Sequence, residues 1–253
     1  YLCNVRYFIN FAYNGSPYHG WQRQPNADSV QQTLEEALST LLRTSIAITG
    51  AGRTDTGVHA EHMVAHFDAH LSQELENNLV HLLNRFLDEN IVVYSLDRVR
   101  ADAHARFDAI ARTYQYHLRY KKDPFKQNMH YVISHAVDVD KMNAAAQVLM
   151  EYKDFEAFAK SHSDVKTFLC DITFAHWESI DQGAIFTIRA NRFLRNMVRA
   201  IVGTLLEVGK GKINEEDVHR IIQSKQRAEA GFSVPACGLY LTKIDYPSGI
   251  YDL

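Results

Sequence analysis

The sequence predicts an α+β protein made of two halves with the same element order, β-α-β-β-α-β, and mainly antiparallel sheets. Three observations predict it. Some short segments alternate apolar and polar residues at the period of a strand, others carry an apolar stripe at the three- and four-residue spacing of a helix, and the two kinds succeed one another in the same order twice. That order is the ferredoxin-like arrangement. It assigns residues 1–100 to an N-terminal half and 101–253 to a C-terminal half. No self-similarity links the halves, so the repeat is one of architecture only.

In the first half, Val5 to Tyr13 alternates as a half-buried strand, and Asn14-Gly15-Ser16-Pro17 is a turn cluster. The loop Tyr18 to Gln24 has two readings: a packed loop anchored by Trp21, or a surface that stacks on and hydrogen-bonds nucleotides. Ser29 with Gln32 three residues on is a capping box, and the helix it opens buries Val30, Leu34, Ala37, Leu38, Leu41 and Leu42. Ile46 to Thr49 is a short strand that Gly50 and Gly52 break, and a second strand covers residues 62–68. A helix runs from Ser72 to Asn84 with Leu75, Leu79, Leu82 and Leu83 inward, and Ile91 to Leu96 is a strand. Arg98 to His104 is a polar connection.

In the second half, Ala109 to Tyr120 is a long strand, and Val139 to Tyr152 is a helix capped by Asp138 or Asp140. Thr167 to Glu178 and Ala184 to Ala190 are strands around a Gln182-Gly183 turn. Phe193 to Val208 is a helix, Glu215 to Ser224 another, and Leu239 to Ile244 the last strand. Two sheets lying edge to edge would leave a basic cleft between the halves.

The 253 residues, 46% hydrophobic and 23% charged, suit a soluble globular protein of one large or two small domains. No apolar run reaches the length of a membrane span, the N-terminal residues show no signal peptide, and a few residues are expected to precede Tyr1. Cys3, Cys170 and Cys237 are odd in number and far apart, which points to free thiols in a reducing cytoplasm. The net charge of −3 argues against a nucleic-acid binder, but its distribution argues the other way. Between Arg189 and Lys212 stand Arg189, Arg192, Arg195, Arg199, Lys210 and Lys212 against Glu207 alone. The window Asp97 to Lys126 is also mostly basic, and two such windows in one half suit a polyanionic ligand.

Four stretches carry candidate chemistry. The first is Gly52-Arg53-Thr54-Asp55-Thr56-Gly57-Val58-His59-Ala60, a carboxylate on a tight loop between two strands. It reads as a β-turn closed by Asp55, as a phosphate cradle, or as a nucleophilic or general-base aspartate. The cradle fails in detail, because Asp55 stands where a dinucleotide fingerprint needs glycine and no Gly-Lys-Ser/Thr follows. The loop alone does not choose between the other two. The second stretch is Arg112-Thr113-Tyr114-Gln115-Tyr116, where both tyrosines share a strand face; core packing fits Tyr116, and a tyrosine beside cations also stacks on bases. The third is Asn191 to Gly203, where Arg192, Arg195 and Arg199 at helical spacing share one face and suit phosphates or a buried carboxylate such as Asp55. The fourth is the histidine series His59, His62, His66 and His70. It invites a metal reading, but it lies on a strand, with no His-Glu-x-x-His and no cysteine near.

Taken together these blocks resemble the tRNA pseudouridine synthase A family. Gly52 to Ala60 carries the resemblance, with Gly20-Trp21-Gln22-Arg23-Gln24, His104-Ala105-Arg106-Phe107, Ala111-Arg112 with Tyr114 and Tyr116, Asn196-Met197-Val198-Arg199 with Ile201-Val202-Gly203, and Gly238-Leu239-Tyr240-Leu241. They run in family order over nearly the whole chain. The resemblance implies that Asp55 is the catalytic aspartate, that Tyr114 stacks on the base, that Arg53 is the loop arginine, and that Arg199 pairs with the aspartate. It implies conversion of uridine to pseudouridine in tRNA without cofactor, ATP or metal, at positions 38, 39 and 40 of the anticodon stem-loop, by a homodimer. Arg23, Arg106, Arg192 and Arg195 would then meet RNA phosphates, and binding should weaken with salt. Two departures stand out: Thr56 replaces a common alanine, and Asn84 to Ile91 lacks the usual proline. The rival from another class is a non-catalytic RNA-binding module, which explains the basic windows and Tyr114 but not an acid facing a polyanion. An aspartate-nucleophile phosphohydrolase is a second rival, and the Asp-x-Asp pattern it needs is absent around Asp55.

Overall fold

A computed structural model describes residues 4–160 and 165–251. The architecture is α+β with mainly antiparallel pairing, and the chain divides into two compact units. The first runs up to Ile110 and takes in the residues from Leu241 onward; the second is Ala111–Tyr240.

The first unit is built on β1 (Val5–Tyr13), which pairs antiparallel with β3 (His59–Ala69) on one side and β4 (Ile91–Val99) on the other. Its central place explains a departure from the expected half-buried strand: Tyr7, Phe8, Ile9 and Phe11 are all buried, on both faces. Tyr7 stacks on Phe67, and Phe8 meets Tyr246 with ring centroids 5.0 Å apart, so the end of the chain covers a face that would otherwise be wet.

Helix α1 (Val30–Leu42) begins where Ser29 accepts a hydrogen bond from the Gln32 N–H. The reciprocal half of the expected capping box is missing, because the Gln32 amide turns to Glu36 Oε1 at 2.8 Å. Strand β2 shrinks to Thr49–Gly50. The expected strand from Ile46 does not form because α1 supplies its partners: Ile46 N–H donates to Ser39 Oγ at 2.9 Å and Ile48 N–H to Glu35 Oε1 at 3.1 Å. Once a backbone donor is satisfied by a side chain it has no need of a ladder. Helix α2 (Gln73–Phe86) is capped by Ser72, with Glu74 and Glu76 in its first turn and Arg85 in its last, the arrangement the helix dipole favours. In the stretch that lacks a proline before β4, Asn84 holds both polar groups of Val93 at 2.7 and 2.8 Å, so a side-chain amide sets the entry to β4.

The second unit carries β5 (Ala111–Arg119), β7 (Ile172–Ile180) and β8 (Gly183–Ala190), with β8 antiparallel to both neighbours. The two-residue β6 (Tyr131–Val132) runs parallel to β5. Helix α3 (Val139–Val148) is capped by Asp138, not Asp140, and gives way to a 3₁₀ turn at Leu149–Glu151. β7 starts five residues later than the alternation from Thr167 suggested, and Asp171 N–H there turns to Asn191 Oδ1 at 2.8 Å. Helices α4 (Met197–Gly209) and α5 (Glu215–Ser224) follow, and β9 (Leu239–Asp245) carries the chain back beside β3. α4 also starts late, at Met197 instead of Phe193, because Asn196 sits in the left-handed region at φ 67°, which no helix tolerates.

Candidate active site

Asp55 opens a four-residue turn. The Val58 N–H donates to the Asp55 carbonyl at 3.1 Å, and Gly57 sits at φ 75°, as the third position of a type II turn requires. The carboxylate therefore stands at the first corner of a closed turn, half-buried, while Thr54 before it and Val58 and His59 after it are buried. Each flank is fixed by groups distant in sequence. The Thr54 hydroxyl meets the Tyr13 hydroxyl at 2.8 Å, and the Thr54 carbonyl accepts from the Trp21 N–H at 3.1 Å. His59 Nδ1 accepts from the Gly15 N–H at 3.1 Å. Gly20 presses against the turn from outside: at φ 91°, a Cβ there would lie 2.6 Å from the Thr54 carbonyl oxygen. Arg53, two residues from the acid, is exposed.

The loop before α1 takes the packed reading. Trp21 is 3% exposed and stacks on Phe11 at 5.8 Å, and its ring covers Gly50. Tyr18 is buried as well, and that burial pushes its hydroxyl pKa up to about 12. Neither ring is placed to stack on a nucleotide. Arg23 keeps an exposed side chain, with one nitrogen 3.3 Å from the largely buried Glu35 carboxylate.

The β3 histidines are accounted for without metal. His59, His62 and His66 each accept a main-chain N–H at Nδ1, from Gly15, Ile244 and Ala105 respectively. An accepting nitrogen must be unprotonated, so each imidazole is held as the Nε2–H tautomer. Burial pushes the His62 pKa down, and burial with the nearby Arg6 and His104 pushes His66 down to about 4. Among the described residues no three His, Cys, Asp or Glu side chains gather as a metal site would need.

Close by in sequence, His104 organises its own turn: its Nδ1 accepts from the Arg106 and Phe107 N–H groups, and its N–H donates to Asp108 Oδ2 at 2.7 Å. Phe107 is left 74% exposed with the Arg106 guanidinium 5.7 Å from its ring centre. Phe107 is not among the candidate residues singled out above; an aromatic next to arginine in a polar loop is the signal that marks it.

In the second unit, Tyr114 and Tyr116 part company as their neighbours dictate. Tyr116 is fully buried, donates to the Pro235 carbonyl at 2.8 Å, and has its pKa raised by burial. Tyr114 is half-exposed and meets Phe193 edge-on, 5.1 Å between centroids at 88°. Phe193 can reach it because it stands in the turn before α4 and not in the helix.

The same late start separates the three arginines. Only Arg199 is on α4; Arg192 and Arg195 are in the preceding turn, so the expected common helix face does not exist. Arg199 is half-buried and its Nε donates to the Val234 carbonyl at 2.7 Å, which holds the guanidinium in place. Arg192 reaches the Thr167 carbonyl at 3.3 Å, and Arg195 is exposed. No helix among the described residues is long and apolar enough to cross a membrane.

The chain is similar to known proteins over nearly its whole length. A family model described as tRNA pseudouridine synthase matches residues 9–108 and 145–247. The chain is 50% identical over 248 residues to the tRNA pseudouridine synthase A of Bacteroides fragilis, covering 98% of each protein. It is 51% identical over 250 residues to that of Porphyromonas gingivalis, covering 98% of this chain and 99% of the relative. Against that of Bacteroides thetaiotaomicron it is 51% identical over 250 residues, covering 98% and 93%.

Proposed function

The chain belongs to the tRNA pseudouridine synthase family and is an isomerase of tRNA uridine; from that premise we propose that Asp55 is the carboxylate that carries the reaction. The reaction breaks the bond between uracil N1 and the sugar C1′, turns the base, and joins C5 to C1′. The C5 hydrogen leaves as a proton and N1 takes one up, so nothing is consumed. Asp55 can enter by adding to uracil C6, by attacking C1′, or by removing the C2′ proton. Each route needs the ionised acid, which a nearby cation favours; Arg53 and Arg199 are assigned to that role.

What supports Asp55 is the manner of its holding. It is half-buried on a turn whose flanks are fixed by Tyr13, Gly15, Gly20 and Trp21, so the backbone that carries the carboxylate need not be ordered at the moment of reaction. The target uridine must leave its stack to reach any such group. Tyr114 is assigned to hold the extruded base by stacking, a contact worth about 1–3 kcal/mol. Arg106 and Arg195, both exposed, and Arg23 and Arg192, each partly engaged within the protein, are assigned to phosphates. The anticodon stem-loop, with uridines 38, 39 and 40, is the proposed target, a homodimer the proposed working form, and the cytoplasm its place. A non-catalytic RNA-binding module has no need of the fixed acid and falls with family membership.

The test is incubation with unmodified tRNA transcript, followed by mapping of pseudouridine. Asp55→Ala is expected to form no product while still binding tRNA. Product from a pure Asp55→Ala protein would falsify the assignment. Tyr114→Phe should retain most activity and Tyr114→Ala should lose it; a Tyr114→Ala protein as active as the unaltered one removes Tyr114 from the site.

A further inference from the structure

The loop from Tyr120 to His130, between β5 and β6, carries groups that the reaction as described does not use. Phe125 is 95% exposed, the most exposed large apolar side chain among the described residues. Lys121, Lys122 and Lys126 are exposed around it, against the single acid Asp123. That acid is engaged in building the turn: its Oδ1 accepts from the Phe125 N–H at 2.9 Å and its carbonyl from the Lys126 N–H at 3.2 Å. The far end is moored too, since the Tyr240 hydroxyl donates to the Met129 carbonyl at 2.5 Å and the Cys237 thiol to that of His130 at 3.5 Å. Pro124 narrows the backbone just before the ring. The aromatic ring is thus presented on a hydrogen-bonded support.

Single exposed apolar residues are common and need no explanation. An exposed ring on a closed turn, with three exposed lysines within four residues of it in sequence, is different, because it joins the two chemistries that grip single-stranded nucleic acid: a flat face for a base and cations for the flanking phosphates. We propose that the turn from Lys121 to Lys126 is an RNA docking point, in which Phe125 stacks on an unpaired base of the tRNA and the three lysines neutralise phosphates beside it. The excess of cations favours a polyanion over an apolar protein surface. The loop lies outside both stretches that the family model matches. The proposal rests on tRNA being the substrate, and not on the assignment of Asp55.

The experiment measures affinity for unmodified tRNA transcript at several salt concentrations, using the intact protein, Phe125→Ala, Phe125→Tyr, and the triple variant Lys121→Gln/Lys122→Gln/Lys126→Gln, each checked for fold by circular dichroism. Phe125→Ala should weaken binding roughly tenfold, the scale of one stacked base, and Phe125→Tyr should restore it. The triple variant should flatten the dependence of log K on log salt by roughly 2–3. Unchanged affinity in Phe125→Ala together with an unchanged salt slope in the triple variant overturns the proposal. So does a change in sedimentation with no change in affinity, which gives the turn to a second copy of the chain, or a loss confined to binding of anionic vesicles. Repeating the measurement in Asp55→Ala separates the two readings. A weakened Phe125→Ala complex alongside continued product from Asp55→Ala leaves the docking point standing and removes only the catalytic assignment.

Discussion

The turn that carries Asp55 and the turn that carries Phe125 are both short, and each is closed by a main-chain hydrogen bond, yet the chain surrounds them differently. Around Asp55, Thr54, Val58 and His59 are buried, and the partners of Thr54 and His59 come from distant parts of the first unit, Tyr13, Gly15 and Trp21. Around Phe125 nearly every side chain is exposed, and the ties are within the turn itself or at its far end. The difference fits the two proposed roles. A reacting carboxylate loses rate steeply with small displacements, so its position is fixed by many groups. A stacking ring and phosphate-binding lysines act through area and charge, which tolerate movement.

Substitutions test the contrast, beginning with Gly20, where the change should be greatest. Gly20→Ala must place a Cβ against the Thr54 carbonyl from a backbone at φ 91°. We expect kcat to fall on the order of a hundredfold with little change in KM, because the loss is one of alignment. A fall in affinity alone would show that the Asp55 turn tolerates displacement as the Phe125 turn does.

Acid comes next. His66 accepts the Ala105 N–H, and its folded pKa of about 4 lies below the ordinary 6.5. His62 is shifted the same way. The unfolded chain therefore binds more protons than the folded one over this range. The stabilisation is fully present above pH 6.5 and is lost as pH falls toward 4. The thermal midpoint should drop on the order of 5 °C between pH 7 and 5 and hold steady from 7 to 8. His66→Gln should remove part of that slope; an unchanged slope would place the acid sensitivity elsewhere.

The smallest effect is expected from Tyr13→Phe. It removes one partner of a buried hydroxyl pair and should cost about 1 kcal/mol of stability with a few-fold loss in kcat. Phe125→Ala, by contrast, should leave the thermal midpoint where it was.

What could be read in the sequence follows the same division. Periodicity located five helices and the long strands, because stripes and alternation are local. The acid at Asp55 stood out by its loop and the resemblance of its neighbours. What escaped was whatever depends on a partner far along the chain. β2 shortens because Ser39 and Glu35 satisfy the backbone ahead of it. Trp21 packs on Phe11 and so leaves the list of base-stacking candidates. Asn196 adopts a left-handed conformation that its neighbours in sequence do not announce, and this takes Arg192 and Arg195 off the face of α4. Strand placement and the missing motif weighed against a metal at the β3 histidines, but spacing could not show that each accepts a backbone hydrogen.

One of those histidines joins places very far apart in the chain. His62 accepts from Ile244, while Ile110 N–H donates to the Asp245 carbonyl and Arg100 N–H to that of Ile250. The unit that holds Asp55 thus lacks a strand beside β3 and its closing contacts until residues near 250 have been made. The second unit is continuous in sequence and has no such wait. Folding during synthesis usually proceeds from the N-terminus; here β1 and β3 are made before the second unit but gain β9 only after it, so β3 keeps part of one edge unpaired until then.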